Sequence, residues 1–336
     1  AVIVFELKLF ASTPADKSAS APVNINIRTG QALHTTAEIL YRENIIKNAI
    51  KFVLIARIKG YDKRLQAGEY LLSASMTPLQ LLDIMVKGTV KLYKLTIPEG
   101  YNLYQIAESV NTANFGTKMD FVQAATDTTR VRQMGLEGET FEGYLFPDTY
   151  EFDDQTKARR VVERMLTNWS RRYEEVQEEH EAALAALDGW STHDIMTLAS
   201  IVEKEAAVPS ERATIAGVFW NRLRSRRFLP RRRLQADPTV QYGCVAVPEA
   251  APSCAEYDGR ITRAMLDDPD NPYNTYRHSG LPPGPICNPG KAAIAAAIAP
   301  EDHDYYYFVA RGSRRHHFSK TLRQHNIAVR RNNLGE

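Results

Sequence analysis

The chain has 336 residues, enough for two domains, and its 44% hydrophobic and 24% charged content is that of a globular protein rather than a disordered or fibrous one. A formal net charge of +2 argues against bulk electrostatic attraction to nucleic acid, and neither zinc-finger spacing nor a Walker-type loop occurs. The three cysteines include no Cys-x-x-Cys pair, which argues against a metal site, and no cofactor is expected.

In chain order, residues 1–10 (AVIVFELKLF) form an apolar run too short to span a bilayer and interrupted by two charges. They read either as the trailing edge of a removed membrane anchor or signal, or as an edge strand. Residues 12–23 are small and polar and read as a linker. A weak internal repeat follows, in which Ile27, Gly30, Leu33, Ala37 and Leu40 recur in register as Ile97, Gly100, Leu103, Ala107 and Val110. Each copy predicts a short strand, a glycine turn and an amphipathic helix beginning near the leucine. Between the copies, residues 45–58 and 77–87 read as helices, the second opened by Thr77-Pro78, and residues 68–72 read as a strand. Such units pack into a small α+β module. Residues 136–152 are rich in Gly, Pro and aromatic rings. Glu142, Tyr144, Phe146, Asp148 and Tyr150 suit either a sugar cleft or an apolar corner, with most of the rings structural.

Residues 154–187 carry Val161, Met165, Trp169, Tyr173 and Val176 at helical spacing, which predicts a long amphipathic helix. Residues 194–206 (DIMTLASIVEKEA) predict a helix capped by Ser191 or Thr192 and ended before Pro209. A further helix is expected over 210–226, capped by Ser210, with Ile215, Val218, Phe219, Arg222 and Leu223 on one side. Residues 224–233 (RSRRFLPRRR) are basic and read as a solvated loop or a contact for anionic groups. Periodicity then fades from 234 to 290, where prolines and glycines are frequent, and a long irregular segment of this kind is usually functional. Its polar clusters, LQADPTVQYG and NPYNTY, suit hydrogen bonding to a polyhydroxylated ligand. An Ala-rich helix over 291–299, a strand over 304–310, an element beginning at His316 and a terminal helix around 322–330 complete the chain.

The candidate chemistry lies in the 194–206 helix. At about 100° per residue, Ile195, Leu198, Ile201 and Val202 form one apolar stripe with Glu205 near its middle, whereas Glu203 projects from the other side. A carboxyl among apolar neighbours loses hydration of its charged form and holds its proton towards neutrality. Glu205 is therefore the candidate catalyst, and Glu203, the secondary candidate, is expected in solvent or behind the site. Cys244 and Cys254 are either a disulfide or two free thiols.

An ordered run of segments resembles the YceG-like family of endolytic murein lytic transglycosylases. The run is TIPEG at 96–100, EGYLFPDTY at 142–150, ASIVEKEA at 199–206, VFWNRL at 218–223, LQADPTVQYG at 234–243, PYNTY at 272–276, GLPPGPICNPG at 280–290 and YYFVA at 306–310. His316, Phe318, Ser319, His325 and Asn326 complete it. The resemblance implies cleavage of the MurNAc–GlcNAc bond of peptidoglycan glycan strands without water, leaving a 1,6-anhydro end, and maps the family's glutamate to Glu205. Ordinary glycosidases use two carboxylates. Here the nucleophile belongs to the substrate, so one carboxyl can act as acid and then base.

On this reading Gln235, Asp237, Thr239 and Tyr242 line one side of a cleft, with Asn274, Thr275 and Tyr276 opposite. The alternative for each is a bond that orders a loop. The implied fold class is α+β: an anchor remnant and linker over 1–22, an N-terminal α+β region with a LysM-like module over 23–150, and a catalytic domain over 151–336 whose Pro/Gly-rich loops form the cleft. The resemblance also implies an inner-membrane anchor, which this sequence does not contain, with the catalytic region periplasmic and peptidoglycan synthases (penicillin-binding proteins) as partners. The basic insertion at 226–233, the Cys244–Cys254 excursion and the basic run at 314–317 depart from the family pattern. The competing expectations are a hydrolytic muramidase using Glu205 with Asp237, and a non-catalytic glycan-binding protein of the wall.

Overall fold

The computed structural model describes residues 2–333 except Ser20, Arg227 and Ser313, so one linker residue and one arginine of the basic segment lie outside the described residues. The chain divides into two compact units, one of residues 1–95 with 150–157 and the other of residues 96–149 with 158–336.

The first unit begins with helix α1 (Val2–Ser12), so the N-terminal run is not the edge strand its composition also allowed. Leu7, Phe10 and Ala11 of α1 pack on the unit's core, which shows why an apolar run holding two charges becomes an amphipathic helix. Strand β1 (Val23–Ile27) pairs antiparallel with β2 (Gly68–Leu72), Ile25 opposite Tyr70. Ile25, Ile27, Tyr70 and Leu72 all point inward, as period-two alternation requires. Between the strands lie α2 (Leu33–Arg42) and α3 (Ala49–Ile58), and α4 (Pro78–Lys87) follows. Helix α3 starts later than its apolar pattern predicts because Asn48 caps it, accepting from Lys51 N at 2.8 Å, while Ile45 and Ile46 are buried ahead of it. Helix α4 opens at the predicted Thr77-Pro78 start, where a capping box bonds Thr77 and Gln80 reciprocally and Pro78 stands in the first turn.

The second repeat copy is realised as β3 (Tyr93–Thr96) followed by α5 (Leu103–Thr112), the helix opened by an Asn102–Gln105 capping box. The two turn glycines share a left-handed conformation, Gly30 at φ 77° and Gly100 at φ 78°, which explains why this position repeats. Helices α6 (Lys118–Ala125) and α7 (Thr128–Gln133) come next, then β4 (Thr149–Phe152), which pairs with β3.

In the second unit the long amphipathic helix is α8 (Ala158–Glu179), with the short α9 (Glu181–Ala185) behind it. Helix α10 (Thr192–Glu205) packs chiefly against α11 (Arg212–Arg224) and α14 (Lys291–Ile298). Ser210 does not cap α11 as expected; a single 3-10 turn over Pro209–Glu211 leads straight into it. The segment that lost periodicity holds a regular element after all, α12 (Asp237–Ala246), and the short α13 (Arg263–Asp267). Pro238 in the first turn and Gly243 within the helix had disguised α12 as loop. Gly243 is needed there, because an added Cβ would sit 2.0 Å from Oδ1 of the buried Asn271 side chain. Cys244 and Cys254 form a disulfide with their Cα atoms 5.0 Å apart. The chain ends in a hairpin of β5 (Tyr307–Arg311) and β6 (Arg315–Ser319), covered by α15 (Leu322–Asn333). Among the described residues no helix is long and apolar enough to cross a membrane.

Candidate active site

Helix α10 is capped by Ser191, whose hydroxyl accepts from Asp194 N at 3.2 Å while Asp194 accepts from Ser191 N at 3.0 Å. Every residue from Ile195 to Val202 is buried, so α10 is a central helix with no wet face along most of its length. Helical phase therefore separates only its last turn, where Glu203 and Glu205 leave the core in different directions.

Glu203 does not face solvent. Its side chain is 6% exposed, pairs with Arg212 at 2.8 Å and accepts from Gly290 N at 3.1 Å. Arg212 also reaches Glu99 at 3.2 Å. Burial raises the Glu99 pKa above its ordinary value, and repulsion from Glu203 adds to it. A Cβ at Gly290 would stand 1.8 Å from Glu99 Oε1, so the last glycine of GLPPGPICNPG makes room for this cluster. Lys204 adds a bond to Gly100 O at 3.3 Å. These contacts fix the end of α10 and hence the position of the next acid.

Glu205, the last residue of α10, is half-buried and opens into a cavity of about 360 Å³ that it shares with Arg222, Gln235, Asp237 and Tyr276. Burial is the main cause that pushes its pKa up, repulsion by Asp237 adds to it, and attraction to Arg222 opposes both; the result is about 7. Arg222 stands on α11 with its Nε donating to Tyr306 O at 2.8 Å and its Nη1 bonded to Leu234 O. The rings of Phe219, Phe228, Tyr307 and Phe308 surround its guanidinium at 5.3–5.9 Å. Burial lowers its pKa to about 10, which leaves it a cation at neutrality. It supplies a fixed positive charge beside Glu205.

Asp237 begins α12, and the Tyr276 hydroxyl donates to its Oδ1 at 2.6 Å. Burial, and then that bond, push the Tyr276 pKa well up, so its proton stays on oxygen. Gln235 occupies the left-handed region at φ 53°, held by its N–H to Thr275 O at 3.2 Å, which turns the chain just before Asp237. Two aromatic residues of β5, Tyr307 and Phe308, and Leu322 and His325 of α15 complete the lining. His325 stacks on Tyr307, and burial, with Arg222 nearby, lowers its pKa.

The cavity thus gathers Glu205, Gln235, Asp237 and Tyr276 and leaves the other candidates outside it. Thr239 is buried, donating to Ala236 O at 2.7 Å and sharing a 2.9 Å hydroxyl contact with Thr275. Asn274 is buried with its amide bonded to the carbonyls of Met265, Leu266 and Asp268. Thr275 is equally buried and bonds Ala236 N at 3.0 Å. These three hold the loop that carries Gln235 and Tyr276, the loop-ordering alternative in each case. Tyr242 packs edge-on against Tyr273 and hydrogen-bonds Glu142. Glu142 is itself fully enclosed rather than cleft-lining, accepting from Leu103 N at 2.9 Å and Asn288 Nδ2 at 2.7 Å. Burial pushes its pKa up to about 8. Arg222 was legible only as a charge within an apolar face, the signature of a buried cation. Tyr307, Phe308 and His325 belong to the segments that carry the resemblance, but nothing local assigned them or Leu322 to the cavity, since hairpin and helix meet it only through the fold.

The YceG-like family model matches residues 25–331. A Bacillus subtilis (strain 168) protein named endolytic murein transglycosylase is 32% identical over 331 residues, spanning 94% of this chain and 86% of that protein. A protein of the same name from Streptococcus pneumoniae serotype 2 (strain D39 / NCTC 7466) is 30% identical over 336 residues, spanning 91% of this chain and 57% of its own length. A crystal structure of a yceG-like protein from Listeria monocytogenes superposes with a TM-score of 0.58 at 32% identity, covering 92% of this chain and all of that one. The chain belongs to the YceG-like family.

Proposed function

We propose that this chain is an endolytic murein lytic transglycosylase that cuts the MurNAc–GlcNAc β-1,4 bond within glycan strands, with Glu205 as its acid and base. The observation that carries the reading is a single half-buried carboxyl whose pKa is pushed up to about 7, opening into a polar cavity. A carboxyl poised there is part protonated at neutral pH and can give up its proton and then take one back. It protonates the bridging oxygen as the bond from that oxygen to MurNAc C1 breaks. The substrate's own O6 then bonds to C1, and its proton passes to the Glu205 carboxylate, restoring the acid. No water is consumed. Positive charge develops at C1, and the Asp237 carboxylate, oriented by Tyr276, is placed to oppose it. Arg222 stabilises the carboxylate that Glu205 becomes when it gives up its proton.

Asp237 in the same cavity also supports a second reading, a muramidase that admits water and uses both carboxylates. Mass spectrometry of digested strands separates the two, since transglycosylase ends are lighter than hydrolytic ends by one water. Reducing ends without that loss would sink the first reading. Equal fragment release by wild type and Glu205→Gln would remove Glu205 from either mechanism. In the first unit, the order strand, helix, helix, strand over β1, α2, α3 and β2 supports a LysM-like glycan-binding module. A murein substrate places the working site outside the cytoplasm, and membrane anchorage beside peptidoglycan synthases is the setting proposed for cutting nascent strands.

A further inference from the structure

A second cavity, of about 500 Å³, opens between the β5–β6 hairpin and α15. Both cavities draw on the same two elements. Strand β5 gives Tyr307 and Phe308 to the Glu205 cavity and Val309, Ala310 and Arg311 to the second; α15 gives His325 to the first and Gln324, Ile327, Ala328 and Arg331 to the second. From His325 to Arg331 the helix rises about 9 Å, and from Phe308 to Arg311 the strand runs about 10 Å. The two cavities therefore lie about 10 Å apart along these elements, on different flanks of α15, a separation that a few extended peptide residues can span.

The chemistry of the second cavity is distinctive. It is lined by the apolar Val309, Ala310, Ile327 and Ala328 and by the basic Arg311, Arg331 and His317. Residues 305–335 hold seven Arg or Lys and no Asp or Glu. Lys320 is paired with Asp304 and His316 with Glu211, but neither Arg311 nor Arg331 has a carboxylate partner among the described residues. Two unpaired guanidiniums beside apolar side chains suit a short peptide with methyl side chains and free carboxylates. Murein carries such a peptide on the lactyl group of each MurNAc. A bare phosphate would use the guanidiniums but not the apolar side chains.

We propose that this cavity is a subsite for the anionic peptide stem of the strand whose glycan occupies the Glu205 cavity. The assignment rests on the murein reading of that cavity. It makes the basic run at 311–331 a determinant of substrate choice, favouring strands that still bear their stems over denuded ones.

The test is equilibrium binding of stem-bearing and amidase-denuded glycan strands to Glu205→Gln protein, with and without Arg311→Gln and Arg331→Gln. Stem-bearing strands should bind about tenfold more tightly, the scale of one to two charge-assisted contacts. The double substitution should bring the two affinities together, and Arg331→Lys should restore part of the difference. In protein that keeps Glu205, the double substitution should leave cleavage of denuded strands and the melting temperature unchanged. An undiminished preference in the double variant, or equal affinities before substitution, overturns the subsite. Equal losses on stem-bearing and denuded strands also overturn it, leaving only a general polyanion surface. Wild-type protein that yields no anhydro ends from either strand overturns the murein reading instead, and the subsite with it.

Discussion

The Tyr276 hydroxyl lies 2.6 Å from Oδ1 of Asp237, and that carboxylate in turn raises the pKa of Glu205 by repulsion. The three residues form a graded system, because whatever changes the charge density on Asp237 changes the acidity of Glu205. Asp237→Asn removes the repulsion and should move the alkaline limb of kcat/KM below about 7. Tyr276→Phe withdraws a proton that Asp237 shares and should move the same limb upward. pH–rate profiles of the three proteins check the ordering, and superimposable profiles would show that Asp237 does not tune the acid.

Glu203 and Glu205 are two residues apart yet should fail in different ways. Glu205→Gln removes the proton donor and should lower the rate by about 10²–10⁴-fold with little loss of stability. Glu203→Gln weakens a buried pair with Arg212 and should lower the melting temperature while the folded protein still forms anhydro ends. Product mass spectra and thermal melts on both variants decide this. The reverse pattern would move the acid to Glu203.

Arg212 carries the cost of that arrangement. Its side chain is 12% exposed and faces two carboxylates, Glu203 and Glu99. Arg212→Ala leaves Glu203 charged, buried and unpaired, which costs about 3–5 kcal/mol. Urea unfolding should show it as a lower midpoint at unchanged slope. A shift under about 1 kcal/mol would mean that Glu203 is effectively solvated.

Stability should also depend on pH in a direction set by the buried acids. Glu205 is pushed up to about 7 and Glu142 to about 8, from an ordinary value of 4.5. Between pH 4.5 and those values the folded chain holds protons that the unfolded chain has released, so stability falls as pH rises and levels off above about 8. Wild type minus Glu205→Gln isolates one group. The variant should gain on wild type from about pH 4.5 to about 7 and hold that gain beyond, as read by thermal melts across the range. A constant difference would show that Glu205 titrates at its ordinary value.

Local signals made much of this molecule legible, and long-range ones did not. The Thr77-Pro78 start of α4, the Ser191 cap of α10 and the repeated turn glycines Gly30 and Gly100 are encoded within a few residues. The choice of Glu205 over Glu203 rested on a one-sided stripe, but α10 is buried all round. What separates the two acids is Arg212 and Gly290, which occupy one of them. Helix α12 was hidden by Pro238 and Gly243, and the glycine makes sense only once Asn271, 28 residues later, is seen against it. Thr239, Asn274 and Thr275 are polar residues in a polar segment, and composition could not say that they bond one another and the backbone rather than a ligand.

The disulfide between Cys244 and Cys254 ties α12 to the 3-10 turn over Pro252–Cys254, inside a small core with Val240, Ala251 and Met265. Closing a loop of ten residues restricts the unfolded chain by about 2–3 kcal/mol. The bond sits at the far end of α12 from Asp237, about 10 Å along the helix. Asp237 is held at its own end by the Tyr276 hydroxyl, and the Tyr276 ring packs on the small core, whose Val240, Ala251 and Met265 stay in place without the crosslink. Replacing both cysteines by alanine should therefore lower the melting temperature by several degrees, while the pH–rate profile of the folded enzyme stays where wild type has it. Calorimetry with and without reductant, alongside the double variant, checks both halves. A melting temperature indifferent to reductant would mean that the small core holds without the crosslink, and a shifted pH profile would mean that α12 transmits its loss to Asp237.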